Sequence, residues 1–152
     1  MHAEPPSRLR LQGAIHHLAL RGQEGQALFH GAADYQALDT IIGQLLRDSG
    51  ARVHAYCWMT NHLHLAVEMA PELIVAFQDE LAGRYSLYRQ HGPEPMGSVF
   101  APPDPPFRVD ADAYLLQLIR YIHLNPLRAG LVRDAADYRW SGHRAYLGHA
   151  GP

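Results

Sequence analysis

Apolar and polar positions follow strand periods in three segments of the chain. The alternation or short apolar run that is typical of a β-strand occurs in Ala14–Leu20, Arg52–Met59 and His62–Glu68. Thr60 and Asn61 join the last two segments and predict a hairpin turn. The pattern therefore predicts an antiparallel strand pair that is preceded by one further strand.

A helical period occurs in three other segments. In the first, which opens at Asp34 and stops at Gly50, apolar side chains recur every three or four residues along one stripe. The stripe comprises Leu38, Ile41, Ile42, Leu45 and Leu46. This spacing predicts a helix with one apolar face.

Prolines mark the limits of the other two helices. Pro71 suits the first turn of the second helix, which runs to about Gln90. Asp110 or Asp112 can cap the third, and Pro126 is expected to end it about two residues earlier. Both helices are long enough to pack across a sheet.

The whole chain, residues 1–152, is expected to form a single domain. It begins with a polar arm at 1–12, has a proline-rich loop at 91–107 and ends in an aromatic, arginine-bearing tail at 126–152. The order of strands and helices predicts an α+β fold, in which an antiparallel sheet carries helices on one face.

Composition places the chain among ordinary globular proteins, with 47% apolar and 18% charged residues. The single cysteine, Cys57, excludes an internal disulfide framework and is typical of a reducing compartment, so a cytoplasmic location is expected. No apolar run reaches the ~18 residues of a membrane span, and the first twenty residues show no leader pattern. We therefore expect no membrane partner.

The formal net charge of −2 gives no sign of a nucleic-acid partner until it is divided by region. Up to residue 107, seven arginines stand against eleven acidic residues, a balance of −4; after it, six stand against four, a balance of +2. Arginines interleaved with aromatic residues, as in this second part, suit contacts to single-stranded nucleic acid and equally suit an ordinary solvated face.

Two histidines share one face of the third predicted strand. Alternation turns Leu63 and Leu65 to one face and His62 and His64 to the other, with the histidine Cα atoms ~6–7 Å apart. Imidazoles at this spacing can share a divalent metal ion. Two ligands do not complete a metal site, so an isolated pair can equally be two histidines on an exposed sheet face that bind nothing.

The third predicted helix carries a phenol and an amide beside its apolar stripe. Tyr121 and Asn125 lie one turn apart, in line with Tyr114 and Gln117. Taken alone, Tyr121 is typical of the border of an amphipathic helix. If the helix lies opposite a metal-binding histidine pair, the Tyr121 phenol can attack phosphorus. Because the ordinary pKa of a phenol is about 10, a neighbouring cation or base must activate it.

Five segments together resemble the REP-associated tyrosine transposases, which are single-tyrosine HUH transposases. They occur in the family's order and spacing between Arg8 and Gly148, and they are RLRLQGAIHHLALRG, ALFHGAADY, VHAYCWMTNHLHLAVE, YLLQLIRYIHLNPLRAGLV and DYRWSGHRAYLG. TNHLH followed about sixty residues later by YIHLNP is a specific combination, whereas either piece alone is weak.

The resemblance implies a ferredoxin-like fold, with the histidine pair on a central strand and the catalytic tyrosine on a following helix. It matches His62, His64 and Asn125 to metal ligands, Tyr121 to the nucleophile, and Mg²⁺ or Mn²⁺ to the cofactor. The implied reaction cleaves and rejoins single-stranded DNA at hairpin-forming repeats through a 5′-phosphotyrosine. The implied protein is a nucleoid-associated monomer or homodimer.

DNA contacts are expected from polar and basic residues around these groups. They are Asn61, His17, Arg21, Arg108, Arg120, Arg128, Arg139 and Arg144. The chain departs from the family's pattern at His16, where a tyrosine is usual, and at residues 101–106, where a proline-rich run replaces glutamine and arginine.

Two other functions remain open at this point. A domesticated descendant would hold hairpin or single-stranded DNA without cutting it. A zinc-dependent hydrolase would use His62 and His64 with an acid such as Glu68, which shares their face but lies two positions beyond Ala66.

Overall fold

Four strands and three helices make up the described part of the chain, which covers residues 13–110 and 112–142 in this computed structural model. In chain order they are β1 (Ala14–Arg21), α1 (Ala32–Ser49), β2 (Arg52–Trp58), β3 (His62–Met69), α2 (Ile74–Gln90), β4 (Phe107–Val109) and α3 (Asp112–Arg128). The arm at 1–12 and the end of the tail lie outside the described residues.

β3 and β1 form the centre of the sheet, whose strand order is β2-β3-β1-β4 with every neighbouring pair antiparallel. Together with the element order β1-α1-β2-β3-α2-β4, this is the ferredoxin-like arrangement. The expected α+β fold with an antiparallel sheet is therefore confirmed, and the His62–His64 pair lies on a central strand.

Alternation along the central strands sends one set of apolar side chains into a core under α1 and α2. Leu18 on β1 lies opposite Leu65 on β3, and both are fully buried. The same core includes Leu38, from the predicted stripe of α1, and Leu81 of α2. Burial of this face accounts for the packing of the first two helices.

The opposite face of the sheet is covered by α3. Ala66 and Cys57 on this face pack against Ile119 and Ile122 of the helix. Because the strand side chains are small, the helix can lie close to the sheet. The expectation that the helices share one face therefore holds for α1 and α2 only, and α3 lies over the face that carries His64.

The predicted loop over residues 91–107 ends one residue early, because Phe107 begins β4. Phe107 pairs with His17, and Val109 pairs with Ile15, at the edge of the sheet. Three residues that directly follow prolines are too few to show a period of two. The sequence pattern therefore does not reveal this strand.

α3 continues through Pro126 to Arg128, beyond the helix end expected from the sequence. A proline removes one N–H donor from a helix, but Pro126 is buried and the following backbone stays helical, with the Ala129 N–H donating to the Asn125 carbonyl at 2.9 Å. Gly130, with φ of 77°, ends the helix in the left-handed region. Burial of the proline and this cap together maintain the last turn.

The other helix limits agree closely with the sequence. α1 ends before Gly50, whose φ of 69° is left-handed and whose N–H donates to the Leu46 carbonyl at 3.1 Å. α2 follows a 3₁₀ turn at Pro71–Leu73 and ends at Gln90 as predicted. No helix in the described ranges is long and apolar enough to cross a membrane.

Leu65→Ala should destabilise the fold by about 2–5 kcal/mol, because it leaves a cavity beneath the central strand where Leu65 is completely buried. Urea unfolding followed by circular dichroism measures the change. The matched control is Leu116→Ala on α3, whose side chain is 59% exposed and which should change stability by less than about 0.5 kcal/mol. Equal effects in the two variants would show that β3 is not at the centre of the core.

Candidate functional site

Three histidines from the two central strands meet on the sheet face that α3 covers. In the β1–β3 register, His64 lies opposite Ala19 and His17 lies opposite Ala66, so the imidazoles of His17 and His64 occupy the same face. The ring centroids of His62 and His64 are 4.9 Å apart, and those of His17 and His64 are 5.2 Å apart. The structure therefore brings the predicted pair together and adds a third ring.

Hydrogen bonds orient both members of the predicted pair through Nδ1. The Nδ1–H of His62 donates to Oδ1 of Asn61 at 2.8 Å, which makes Asn61 a brace for that ring. Nδ1 of His64 lies 3.0 Å from Nε2 of His17, and one of these two nitrogens donates to the other. Such bonds fix the orientation of the rings. In His62 the proton is on Nδ1, so Nε2 is free to coordinate a metal ion, and the same is true of His64 when its Nδ1–H is the donor to His17.

Burial keeps the cluster in its neutral form. It lowers the pKa of His64 to about 3, and the nearby imidazoles of His17 and His62 add to the lowering. The pKa values of His17 and His62 are also lowered, first by burial and then by the positive charge of Arg21. Neutral imidazole is the form that coordinates a metal ion.

Tyr121 on α3 points its ring at this cluster. Its centroid lies 5.6 Å from that of His64 in an edge-to-face arrangement and 6.4 Å from that of His17. The side chain of Tyr121 is 46% exposed, so a substrate can reach it. The expected meeting of the histidine strand with the tyrosine helix is thus present in the geometry.

The last turn of α3 surrounds Tyr121 with an amide and a cation. Nδ2 of Asn125 donates to the Tyr121 carbonyl at 3.3 Å, which holds the predicted metal ligand against its own helix. Nη2 of Arg128 donates to the same carbonyl at 2.5 Å. The Arg128 guanidinium also lies over the Tyr121 ring, 4.5 Å from its centroid. Arg128 is therefore the predicted DNA contact that lies against the tyrosine.

Arg21 and Arg108 differ in their relation to the histidine cluster. Arg21 lies opposite His62 at the end of β1, on the face of the cluster. Arg108 lies opposite His16 in β4, and its guanidinium forms an exposed ion pair with Asp110 at 3.1 Å. Alternation therefore places the Arg108 side chain on the other face of the sheet.

Of the remaining predicted DNA contacts, one lies on α3, one lies in the tail and one lies beyond the described residues. Arg120 is exposed on α3. The Arg139 guanidinium stacks on Trp140, 4.4 Å from the ring centroid, and its charge acts on the carboxyl of Asp39 on α1. Arg144 lies outside the described residues.

The donor set fits a metal ion that is held by two imidazoles and needs ligands of another kind. Within residues 13–110 and 112–142, no group of three or more His, Cys, Asp or Glu side chains could hold a metal ion. Glu68 forms no such group with His62 and His64, and its Oε1 lies 2.8 Å from Nε2 of His54 instead. An amide such as that of Asn125, or oxygens of a bound phosphate, would complete the shell.

A groove beside Tyr121 contains residues to which the sequence assigned no role. It has a volume of about 590 Å³ and lies between β4 and α3. Its lining includes His17 and Tyr121 from the cluster, together with Phe107, Tyr114 and Gln117. The helical spacing of Tyr114, Gln117 and Tyr121 marks one wall in the sequence, whereas Phe107 belongs to the short strand that the pattern does not reveal.

Comparison with known proteins establishes the fold. No protein-family profile matches the sequence, and no curated protein matches it. A solved REP-associated tyrosine transposase bound to a REP hairpin is similar to the chain, with a TM-score of 0.76 and 17% identity over 93% of this chain and 84% of that one. A second structure, of a protein named as a candidate transposase from Deinococcus radiodurans, has a TM-score of 0.48 and 20% identity over 72% and 88%. The first likeness shows a shared fold.

Proposed function

We propose that this protein is a metal-dependent single-stranded DNA transposase and endonuclease of the REP-associated tyrosine transposase type. The observation that carries the proposal is that the ring centroid of Tyr121 lies 5.6 Å from that of His64, next to the His62–His64 pair. The likeness in fold to a transposase bound to a hairpin supports the same substrate class.

Tyr121 would act as the nucleophile in the cleavage step. Its Oη forms a bond to phosphorus, the bond from phosphorus to the 3′ oxygen breaks, and the leaving oxygen takes up a proton to become a 3′-hydroxyl. The product carries its 5′ phosphate on Tyr121. Attack by a 3′-hydroxyl on this phosphotyrosine reverses the exchange and rejoins the strand, so no external energy source is needed.

The groups around Tyr121 would prepare it for this step. Arg128 places a positive charge over the ring at 4.5 Å, where it stabilises negative charge that develops on the phenol as its proton leaves. His17 and Asn61 hold the rings of His64 and His62 by hydrogen bonds. The site is therefore preorganised before DNA arrives.

His62 and His64, with the amide of Asn125, would hold the metal ion. A bound Mg²⁺ or Mn²⁺ polarises a scissile phosphate and neutralises charge in the transition state. The low pKa of His64 keeps the ring ready for coordination at neutral pH without competition from protons. These ligands come from β3 and α3, so metal binding would also fix the helix against the sheet.

The substrate would approach the face that contains Arg21 and Arg128. The charges of both guanidinium groups act on His64, and that of Arg128 also lies over the Tyr121 ring, so both groups would be placed to contact DNA phosphates. The formal charge of −2 predicts weak non-specific binding, so affinity would depend on these few contacts and on salt. A cytoplasmic, nucleoid-associated monomer or homodimer fits this role.

A different feature of the structure argues against each of the two alternative functions. A DNA-binding descendant that no longer cuts would not need the juxtaposition of His64 and Tyr121. A zinc hydrolase would need an acidic ligand, and Glu68 is paired with His54 instead. Strand cleavage therefore agrees best with the geometry.

The test is whether the protein forms a covalent adduct with DNA. We expect a single-stranded library with a constant hairpin and random flanks, incubated with Mn²⁺ or Mg²⁺, to yield an adduct that survives denaturing electrophoresis. Strands labelled on the 3′ side of the cut should enter the adduct, because the 5′ phosphate of that piece is the one attached to Tyr121. Tight binding without an adduct would instead establish the binding-only alternative.

A further inference from the structure

The groove between β4 and α3 opens directly onto the site of Tyr121. Tyr121 and His17 line both the site and the groove. Phe107 lies opposite His17 in the β1–β4 register, so its side chain is on the same face of the sheet as the histidine cluster. The volume of about 590 Å³ lies in the range of about 300–1,000 Å³ that is usual for small-ligand sites.

The walls of the groove carry aromatic rings that the fold leaves uncovered. Phe107 is 68% exposed on one side, and Tyr114 is 64% exposed on the other. By contrast, the apolar stripe of α3 is buried against the sheet at Ile119 and Ile122. Exposed aromatic side chains that face each other across a groove mark a binding surface.

The chemistry of the lining favours a nucleobase. Aromatic faces stack on any base, and the amide of Gln117 supplies a donor and an acceptor that can contact a base edge. Arg108 and Asp110 lie at the rim of the groove by the edge strand, and their ion pair at 3.1 Å leaves these two residues without net charge. A flat, nearly neutral ligand therefore suits the groove better than a phosphate, which the cations beside Tyr121 would attract.

We propose that this groove is a base-binding subsite, which takes an unpaired nucleobase next to the phosphate that reacts with Tyr121. Phe107 and Tyr114 stack on the base, and Gln117 contacts its edge. The inference rests on the proposed function, since it assigns the subsite to the same DNA strand. It makes base stacking, rather than hairpin shape alone, a determinant of where the strand is held.

The test compares strands with and without bases. Fluorescence anisotropy would measure the affinity of the full chain for labelled dT10 and for an abasic strand of the same length. Phe107→Ala and Tyr114→Ala should each weaken dT10 binding by at least about fivefold and leave abasic binding unchanged, because stacking acts only on bases. Phe107→Trp keeps an aromatic ring at this position and should therefore bind dT10 with the affinity of the wild type.

Leu116→Ala is the matched control, because Leu116 is equally exposed on α3 but does not line the groove. It should bind both strands as the wild type does. Equal loss of dT10 and abasic binding in the Phe107 and Tyr114 variants would overturn the subsite. So would unchanged dT10 affinity together with a dimer-to-monomer change in light scattering, which would assign the groove to a second copy of the chain.

The outcome separates the subsite from the proposed function. If the wild type forms the covalent adduct but the variants bind dT10 as it does, only the subsite fails. If the wild type neither forms the adduct nor binds any single strand, the proposed function fails and the subsite fails with it. Unchanged thermal unfolding of the variants shows that any loss of affinity is local.

Discussion

Tyr121→Phe should abolish the covalent protein–DNA adduct, reducing its rate of formation by at least a factor of about 10³, because the substitution removes the nucleophilic oxygen and nothing else. DNA binding should change by less than about tenfold, since a neutral hydrogen bond contributes about 0.5–1.5 kcal/mol. Denaturing electrophoresis measures the adduct, and anisotropy measures the binding. The ring remains in place to pack beside His64 and under Arg128.

Tyr114→Phe is the matched control for this substitution. Tyr114 lies two turns earlier on α3 and faces the groove, so its ring can still stack when its hydroxyl is lost. The control should form the adduct at nearly the wild-type rate. An undiminished adduct in Tyr121→Phe would remove Tyr121 from the mechanism, and loss of the adduct in both variants would indicate that neither phenol is specific.

The histidine pair and the tyrosine face could be predicted because strand and helix periods are fixed by backbone geometry. Because side chains alternate along a strand, His62 and His64 must lie on the face opposite Leu63 and Leu65. The i, i+4 spacing likewise places Asn125 next to Tyr121. These local rules need no knowledge of the rest of the fold.

The parts that sequence could not predict depend on contacts between distant segments. The hydrogen bond of His17 to His64 depends on the register between β1 and β3, which a single strand does not specify. The position of α3 on the second face follows from the small side chains there, such as Ala66. Pro126 remains inside α3 because tertiary burial outweighs the helix bond that it removes.

The groove between β4 and α3 also combines a part that the sequence predicts with a part that it does not. Tyr114 and Gln117 share a helix face with Tyr121, and that face is visible in the sequence. Phe107 joins them only because β4 pairs with β1 over three residues, too short a pairing to leave a pattern. The helix wall of the groove can therefore be predicted from the sequence, whereas the wall that β4 forms cannot.

His64→Ala should abolish metal-dependent cleavage and weaken Mn²⁺ binding by at least about tenfold, because it removes one of the two imidazoles of the proposed metal site. Mn²⁺ binding, followed by electron paramagnetic resonance or calorimetry without DNA, gives a readout that does not depend on activity. Since His64 is 2% exposed, its loss also leaves a small cavity, and circular dichroism must show that the variant is folded.

His54→Ala is the control that separates loss of a ligand from loss of any histidine. His54 is half-buried on β2 and bonds Glu68 rather than the cluster, so its removal should leave Mn²⁺ affinity and cleavage within about twofold of the wild type. Cleavage by His64→Ala in the presence of a chelator would refute the metal role. The same conclusion would follow if Mn²⁺ affinity fell equally in both variants, because the ion would then bind without the geometry that His62 and His64 share on β3.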